Sequence, residues 1–172
     1  MDAYGYGERM AVGEIGGVDG LRTMQDYTAG DRRLHTAYSF GFLGARPDPA
    51  AVASQLLPWQ GSDGWPSWAF SNHDAPRVAS RWGTGAAHAF HFGAQPLSVN
   101  DADAIAPETW MALLLCLRGT IFLYQGEELG LPQSGIPFEQ MQDPFGIANW
   151  PMSPGRDGCR TPMPWQAEAP NA

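Results

Sequence analysis

The chain has 172 residues, enough for one domain with a sizeable core but too few for a complete eightfold β/α barrel, which takes about 250. Hydrophobic residues make up 44%, with 7 Trp, 8 Phe and 5 Tyr, a composition that folds rather than stays disordered. A formal charge of −8 argues against a nucleic-acid or anionic-membrane partner, since both need a basic patch.

In chain order, Met10–Ile15 is a short apolar run that ends at an acid, as a buried strand does. Gly16 and Gly17 follow, and Val18–Ala29 forms a short helix or an irregular link. His35–Leu43 is aromatic and β-favouring, a second strand. Asp48–Gln60 has helical spacing at Val52, Leu56 and Leu57, with Asp48 as cap and Pro49 at the first helical position. Ser67–Ser71 is a third strand, followed by Asn72, His73 and Asp74, and Ala75–Trp82 opens a helix. Glu108–Arg118 is the strongest helix, Gly119 closes it, and Ile121–Tyr124 is a fourth strand. From Gln125 onward the chain is rich in loops, and 166–172 is expected to be a disordered tail. Strands alternating with helices predict parallel βαβ units.

Cys116 lies in the apolar run Met111–Leu117 and is expected to pack as a small hydrophobe. Cys159 lies in a polar loop, so no disulfide is expected. That apolar run falls far short of the roughly 20 residues that span a bilayer. The N-terminus MDAYGYGERM lacks a basic flank followed by an apolar stretch, and a cytoplasmic protein is expected.

Two acids at strand ends stand out. Glu14 is either a solvated strand terminus or a catalytic acid. Asp74 is either an N-cap before Ala-Pro or a second catalytic carboxylate. His73 reads equally as a hydrogen-bonded loop residue, and Arg77 as a surface ion-pair partner of Asp74. About two βαβ repeats of ~30 residues separate Glu14 from Asp74. In a parallel barrel that spacing brings both acids to the face that carries the chemistry, within roughly 10 Å of each other. Two carboxyls flanking a site are what acid-catalysed glycosidic cleavage needs: one protonates the leaving oxygen, and another acts where oxocarbenium-like charge develops.

The segments AVGEI, FSNHDAPRVASRWG, LRGTIFLYQGEELGLP and GRDGCRTPMPW resemble consecutive blocks of glycoside hydrolase family 13, the α-amylase family. With TAGDRRLHTAYSFGFL, they are most similar to its proteobacterial α-glucosidases, and the resemblance runs from about Glu8 to Trp165. It implies an α/β fold, a partial (β/α)8 TIM barrel of about strands five to eight with their helices and a long loop after the last strand. Residues 1–172 would then form the C-terminal part of a catalytic barrel. By the same resemblance Glu14 matches the general acid/base, Asp74 the transition-state stabiliser, and His73 a sugar-binding histidine. Arg77 matches a residue that closes the pocket. Arg156, Asp157 and Arg160 either border the pocket, with Arg160 binding substrate, or form a structural ion-pair cluster.

The family's nucleophile, an aspartate in a Gly-x-Arg-x-Asp block, has no counterpart in these residues, and the third-strand block is missing too. A truncated gene, an incomplete reading frame or a misplaced start would account for that. The expected activity is retaining hydrolysis of terminal α-glucosidic bonds in short oligosaccharides, with this chain inactive by itself. The alternatives are a transglycosylase, a sucrose- or trehalose-converting enzyme, and a non-catalytic half-barrel that binds sugar or a partner chain. No cofactor is expected, nor any metal, since Asp101 and Asp103 lack the glycine and distal glutamate of a calcium loop. The open edges of a partial barrel predict self-association.

Overall fold

The computed structural model describes residues 9–44, 47–83 and 107–166. Its elements are β1 (Val12–Ile15), α1 (Gly20–Thr28), β2 (Thr36–Ser39), α2 (Pro49–Leu56), β3 (Pro66–Ala69), α3 (Val78–Gly83), α4 (Pro107–Cys116), β4 (Thr120–Phe122) and α5 (Pro144–Asn149), with short 3₁₀ turns between several of them. The four strands form one parallel sheet in the order β1-β2-β3-β4. A doubly wound sheet reverses its strand order part-way, whereas a barrel lays each new strand beside the last. The unbroken order is that of a barrel arc, in agreement with the alternation of elements in the sequence. Among the described residues no helix is long and apolar enough to cross a membrane. Asp101 and Asp103 lie outside the described residues, as does the expected tail beyond Gln166.

The chain divides into two compact units. The first comprises Met1–Phe42, Pro47–Ala69 and Leu114–Phe122 and holds the whole sheet. The register pairs Glu14 with Tyr38, Tyr38 with Ser67, and Ser67 with Thr120. Registered neighbours in parallel strands share a face, so this row puts four polar side chains on one side of the sheet. Thr36, on the same face, bonds Ser67 Oγ at 2.7 Å. The opposite face carries Ala37 and Trp68, both buried. Trp68 packs against Phe42 at 5.5 Å and Trp59 at 6.4 Å between ring centroids, and each such buried side chain contributes about 1.5–3 kcal/mol. In α1 the buried residues Gly20, Met24 and Thr28 recur every fourth position, one stripe of the helix. In α2 the Asp48 side chain caps Ala51 N–H at 2.7 Å with Pro49 next in line, as the Asp-Pro pair predicts.

Gly119, between α4 and β4, has φ +133°, a conformation L side chains rarely adopt. A Cβ there would also sit 2.5 Å from the Pro66 carbonyl oxygen, which is backbone and cannot swing aside. Gly119→Ala is therefore expected to destabilise the chain by about 1–3 kcal/mol, read as a lower urea midpoint with unchanged slope.

The second unit comprises Leu43–Arg46, Phe70–Leu113 and Leu123–Ala172. Its described core contains Phe70 packed against Trp82, the ring centroids 4.6 Å apart and the planes tilted by 52°, with Ala75 and Val78 also buried. Arg77 and Arg81 are each only 2% exposed, so this core contains two arginines. Arg81 donates Nε to the Pro76 carbonyl at 2.6 Å and its two Nη groups to the carbonyls of Gly44 and Phe70. Burial pulls its pKa down to about 10, against the field of Glu127, which leaves it charged at neutral pH.

Local bonds explain where boundaries differ from expectation. β2 stops at Ser39, whose Oγ accepts Gly41 N–H and turns the chain into a 3₁₀ turn over Phe40–Phe42. The helix expected from Ala75 begins at Val78, because Ala75 precedes Pro76 and that position disfavours helical dihedrals. β4 ends at Phe122, and Tyr124 N–H goes to Glu127 Oε2 at 2.9 Å. The two cysteines exchange expected environments. Cys116 is exposed, on the same outward side of α4 as Leu115 and Ala112, whereas Cys159 is 1% exposed. Its Sγ donates to the Arg156 carbonyl at 3.0 Å and lies 3.4 Å from that of His73, and burial pushes the thiol up to about 11.

Candidate active site

Glu14 is exposed on the polar face of the sheet, one residue before the end of β1. Tyr38, its register partner on β2, donates its hydroxyl to Glu14 Oε1 at 2.6 Å. The Tyr38 ring leans on Phe122 at 5.8 Å and Phe40 at 6.2 Å, so the hydroxyl that meets the acid is held on an aromatic support. Beyond the ends of β1 and β2 lies a cavity of about 470 Å³, lined by Ile15, Gly16, Asp19, Arg22, Phe40 and Gln55 among others.

In the second unit, Asp74 follows β3 and is not the helix cap. Asn72 Oδ1 accepts the N–H groups of Asp74 and Ala75 at 2.9 and 2.8 Å, and Ser71 Oγ accepts that of Val78 at 2.9 Å. The backbone donors at this helix start thus have other acceptors. Asp74 Oδ1 accepts from Arg160 Nη2 at 2.7 Å and Arg156 Nη1 at 3.0 Å. Oδ2 lies 3.6 Å from His73 Nε2, with the two side chains 42% and 58% exposed. Partial burial pushes the Asp74 carboxyl up, but the bonds from Arg160 and Arg156 and the field of His73 outweigh it and hold it below the usual value. At neutral pH Asp74 is therefore an ionised carboxylate whose Oδ1 accepts two guanidinium bonds and whose Oδ2 lies beside His73.

Arg160 is steadied by Nε on the His73 carbonyl at 2.7 Å, which also fixes the backbone before Asp74. Arg156 forks onto Asp143 with Nε and Nη2 at 3.0 and 2.8 Å, and the Asp143 side chain is completely buried. Asp157 accepts the N–H groups of Gln142 and Asp143. His73, Asp74, Arg156 and Arg160 thus come together as one cluster, with Asp157 a shell further out. Arg77 does not share the bonds of Asp74. It donates Nη1 to the Gln125 carbonyl at 2.6 Å and lies over the Tyr124 ring at 5.4 Å. Glu14 and Asp74 belong to different compact units. Among the described residues no group of three or more His, Cys, Asp or Glu is placed to hold a metal ion.

The model of the alpha amylase catalytic domain matches residues 4–172. The chain belongs to the α-amylase family, glycoside hydrolase family 13. A probable alpha-glucosidase from Rhizobium meliloti is 44% identical over 161 residues, which is 91% of this chain and 27% of that protein. An oligo-1,6-glucosidase from Halalkalibacterium halodurans is 31% identical over 188 residues, again 91% of this chain and 31% of the relative. The crystal structure of the alpha-glucosyl transfer enzyme XgtA matches with a TM-score of 0.75 and 42% identity, covering 91% of this chain and 27% of that one. This member of the α-amylase family thus spans between about a quarter and a third of the length of these relatives. Its four parallel strands are part of a (β/α)8 barrel.

Tyr38 and Asp143 escaped the sequence reading. The register that sets Tyr38 opposite Glu14 follows only from strand pairing. Asp143 did leave a signal: Asp143-Pro144 has the same cap-and-first-residue pattern as Asp48-Pro49, and Asp143 caps α5 at Phe145 N–H.

Acid sensitivity should follow from these bonds. The Arg156 side-chain bonds, ahead of the opposing effect of burial, hold the Asp143 carboxyl far below its ordinary value of 3.8. Depressed carboxyls such as Asp143 and Asp74 stabilise the fold fully above their unfolded values and lose that contribution as pH falls through the folded ones. Glu127 acts oppositely. Burial raises its carboxyl above 4.5, against the Tyr124 N–H bond, so its contribution is present at low pH and lost as pH rises through the raised value. Because Asp143 is buried and Asp74 partly exposed, Asp143 should dominate the acid limb. Urea midpoints taken on both sides of pH 3.8 should drop on the acid side in the native chain and flatten in Asp143→Asn.

Proposed function

We propose that residues 1–172 form the C-terminal part, about strands five to eight, of a retaining α-glucosidase barrel that hydrolyses terminal α-glucosidic bonds in short oligosaccharides. The observation that supports this reading is Asp74: two guanidiniums occupy Oδ1, while its side chain and that of His73 remain 42% and 58% exposed and so available to sugar hydroxyls. The alpha-glucosidase and oligo-1,6-glucosidase relatives support it. In a double displacement, an aspartate from outside these residues attacks the anomeric carbon while Glu14 gives its proton to the departing glycosidic oxygen. Glu14 then takes a proton from water, which displaces the enzyme carboxylate and restores the acid. Tyr38 orients Glu14, and the cavity beyond β1 and β2 gives room for a leaving group. Asp74 meets charge that develops on the sugar ring, with His73 and Arg160 as further contacts. Arg77, its guanidinium held on the Gln125 carbonyl, helps close the pocket around the non-reducing sugar.

The experiment is to join the chain to the N-terminal part of a close relative and to follow maltose and an aryl α-glucoside. Released glucose of retained configuration supports the reading. A second reading, glucosyl transfer in place of hydrolysis, is favoured by the 42% identity to an alpha-glucosyl transfer enzyme. It would appear in the same assay as glucosylated acceptor with little free glucose.

The substrate is a small neutral sugar handled in the cytoplasm, and nucleic acid and membranes are not partners. Among the described residues β1 and β4 stand at the ends of the sheet, each with one strand neighbour, and such edges template association. The purified 172-residue chain should therefore sediment as oligomers or aggregates. A monodisperse monomer with a cooperative, high-temperature melt would contradict this.

A further inference from the structure

The Asp143 side chain is completely buried and that of Asp74 partly exposed, yet the two share an arginine. Arg156 grips Asp143 with Nε and Nη2 at 3.0 and 2.8 Å and reaches Asp74 Oδ1 with Nη1 at 3.0 Å. A guanidinium is planar, so fixing one edge fixes the direction of the nitrogen on the other. The anchor is itself fixed. The Asp143 side chain is completely buried, its carboxylate takes the N–H groups of Phe145 and Arg156, and its own N–H goes to Asp157. Arg160, the other guanidinium on Oδ1, has no buried carboxylate among its bonds and rests on the His73 carbonyl.

We propose that Asp143 is a positioning residue for Asp74: through its fork on Arg156 it fixes the guanidinium that holds Oδ1 and so keeps Oδ2 turned to the ligand. Its meaning for catalysis rests on the role of Asp74 proposed above. The experiment reads the carboxyl itself, so it succeeds or fails whether or not the protein is an α-glucosidase.

Removing the Asp143 charge has two opposed effects on Asp74. As simple electrostatics, losing a nearby anion favours the ionised form and moves the Asp74 titration midpoint down. As lost positioning, it frees Arg156 to leave Oδ1 and moves the midpoint up. Among the described residues, the other groups whose charge acts on Asp74 include His73, Arg160 and the Cys159 thiol, all unchanged by the substitution. Carboxyl carbon shifts of the chain joined to the N-terminal part of a close relative, which pairs the open sheet edges, are followed by NMR against pH and report the sign. In Asp143→Asn the Asp74 midpoint should rise. In Arg156→Lys it should rise as well, because a single ammonium nitrogen cannot reproduce the fork on Asp143 and the separate reach to Asp74, and it stays with the buried carboxylate, where an unpaired anion costs most. A midpoint that falls or stays in folded Asp143→Asn overturns the proposal. Should that variant not fold, Arg156→Lys decides alone, and an unchanged Asp74 midpoint there overturns it.

Discussion

Glu14→Gln, in the chain joined to a relative's N-terminal part, is expected to lower turnover of maltose by ~10²- to 10⁴-fold, the usual contribution of a positioned general acid. The amide keeps the shape of the side chain and still accepts the Tyr38 hydroxyl, so the loss would come from the proton and not from a collapsed site. That makes the effect selective. An aryl α-glucoside whose aglycone departs without protonation should recover much of the first step in the Gln variant, leaving the second, water-dependent step slow. Asp74→Asn should behave differently. In the role proposed for Asp74 it removes the charge that would face the sugar, and it leaves Arg156 and Arg160 without their shared carboxylate, so a loss of about 10²- to 10³-fold should persist with every leaving group. Equal rescue of both variants by the activated aglycone would mean that the roles of Glu14 and Asp74 are wrongly assigned.

Much of the first unit could be read in the sequence because its signals are local. Alternating strand and helix patterns gave the barrel arc, and Asp48-Pro49 marked α2 by a cap and a first residue that sit side by side. The cluster around Asp74 was only half legible. His73, Asp74, Arg156 and Arg160 stood out through their resemblance to family blocks, but which of them bond could not follow from positions more than eighty residues apart. Asp74 itself looked like an N-cap, because nothing in the sequence tells that Asn72 and Ser71 take the backbone donors first. Arg77 shows the same limit. A spacing of three suggests a surface ion pair, whereas burial sends its guanidinium to a carbonyl and an aromatic face. Cys159 was read from its polar neighbours, yet the 3₁₀ turn at Asp157–Cys159 folds it inward.

The most direct test of the central claim compares the chain alone with the chain completed. Unit-acting catalytic residues fail together, so a double-displacement enzyme without its nucleophile keeps neither the covalent intermediate nor a useful fraction of the rate. These 172 residues supply Glu14 and Asp74 but no Gly-x-Arg-x-Asp block. Release of the aryl group from an aryl α-glucoside should therefore be undetectable with the 172-residue chain by itself. It should appear once the N-terminal part of a close relative is joined to it, and disappear again when the supplied aspartate is changed to Asn. Robust hydrolysis by the lone chain, or a folded joined protein that stays inactive, would contradict the assignment of this chain as the acid-bearing part of an α-glucosidase barrel.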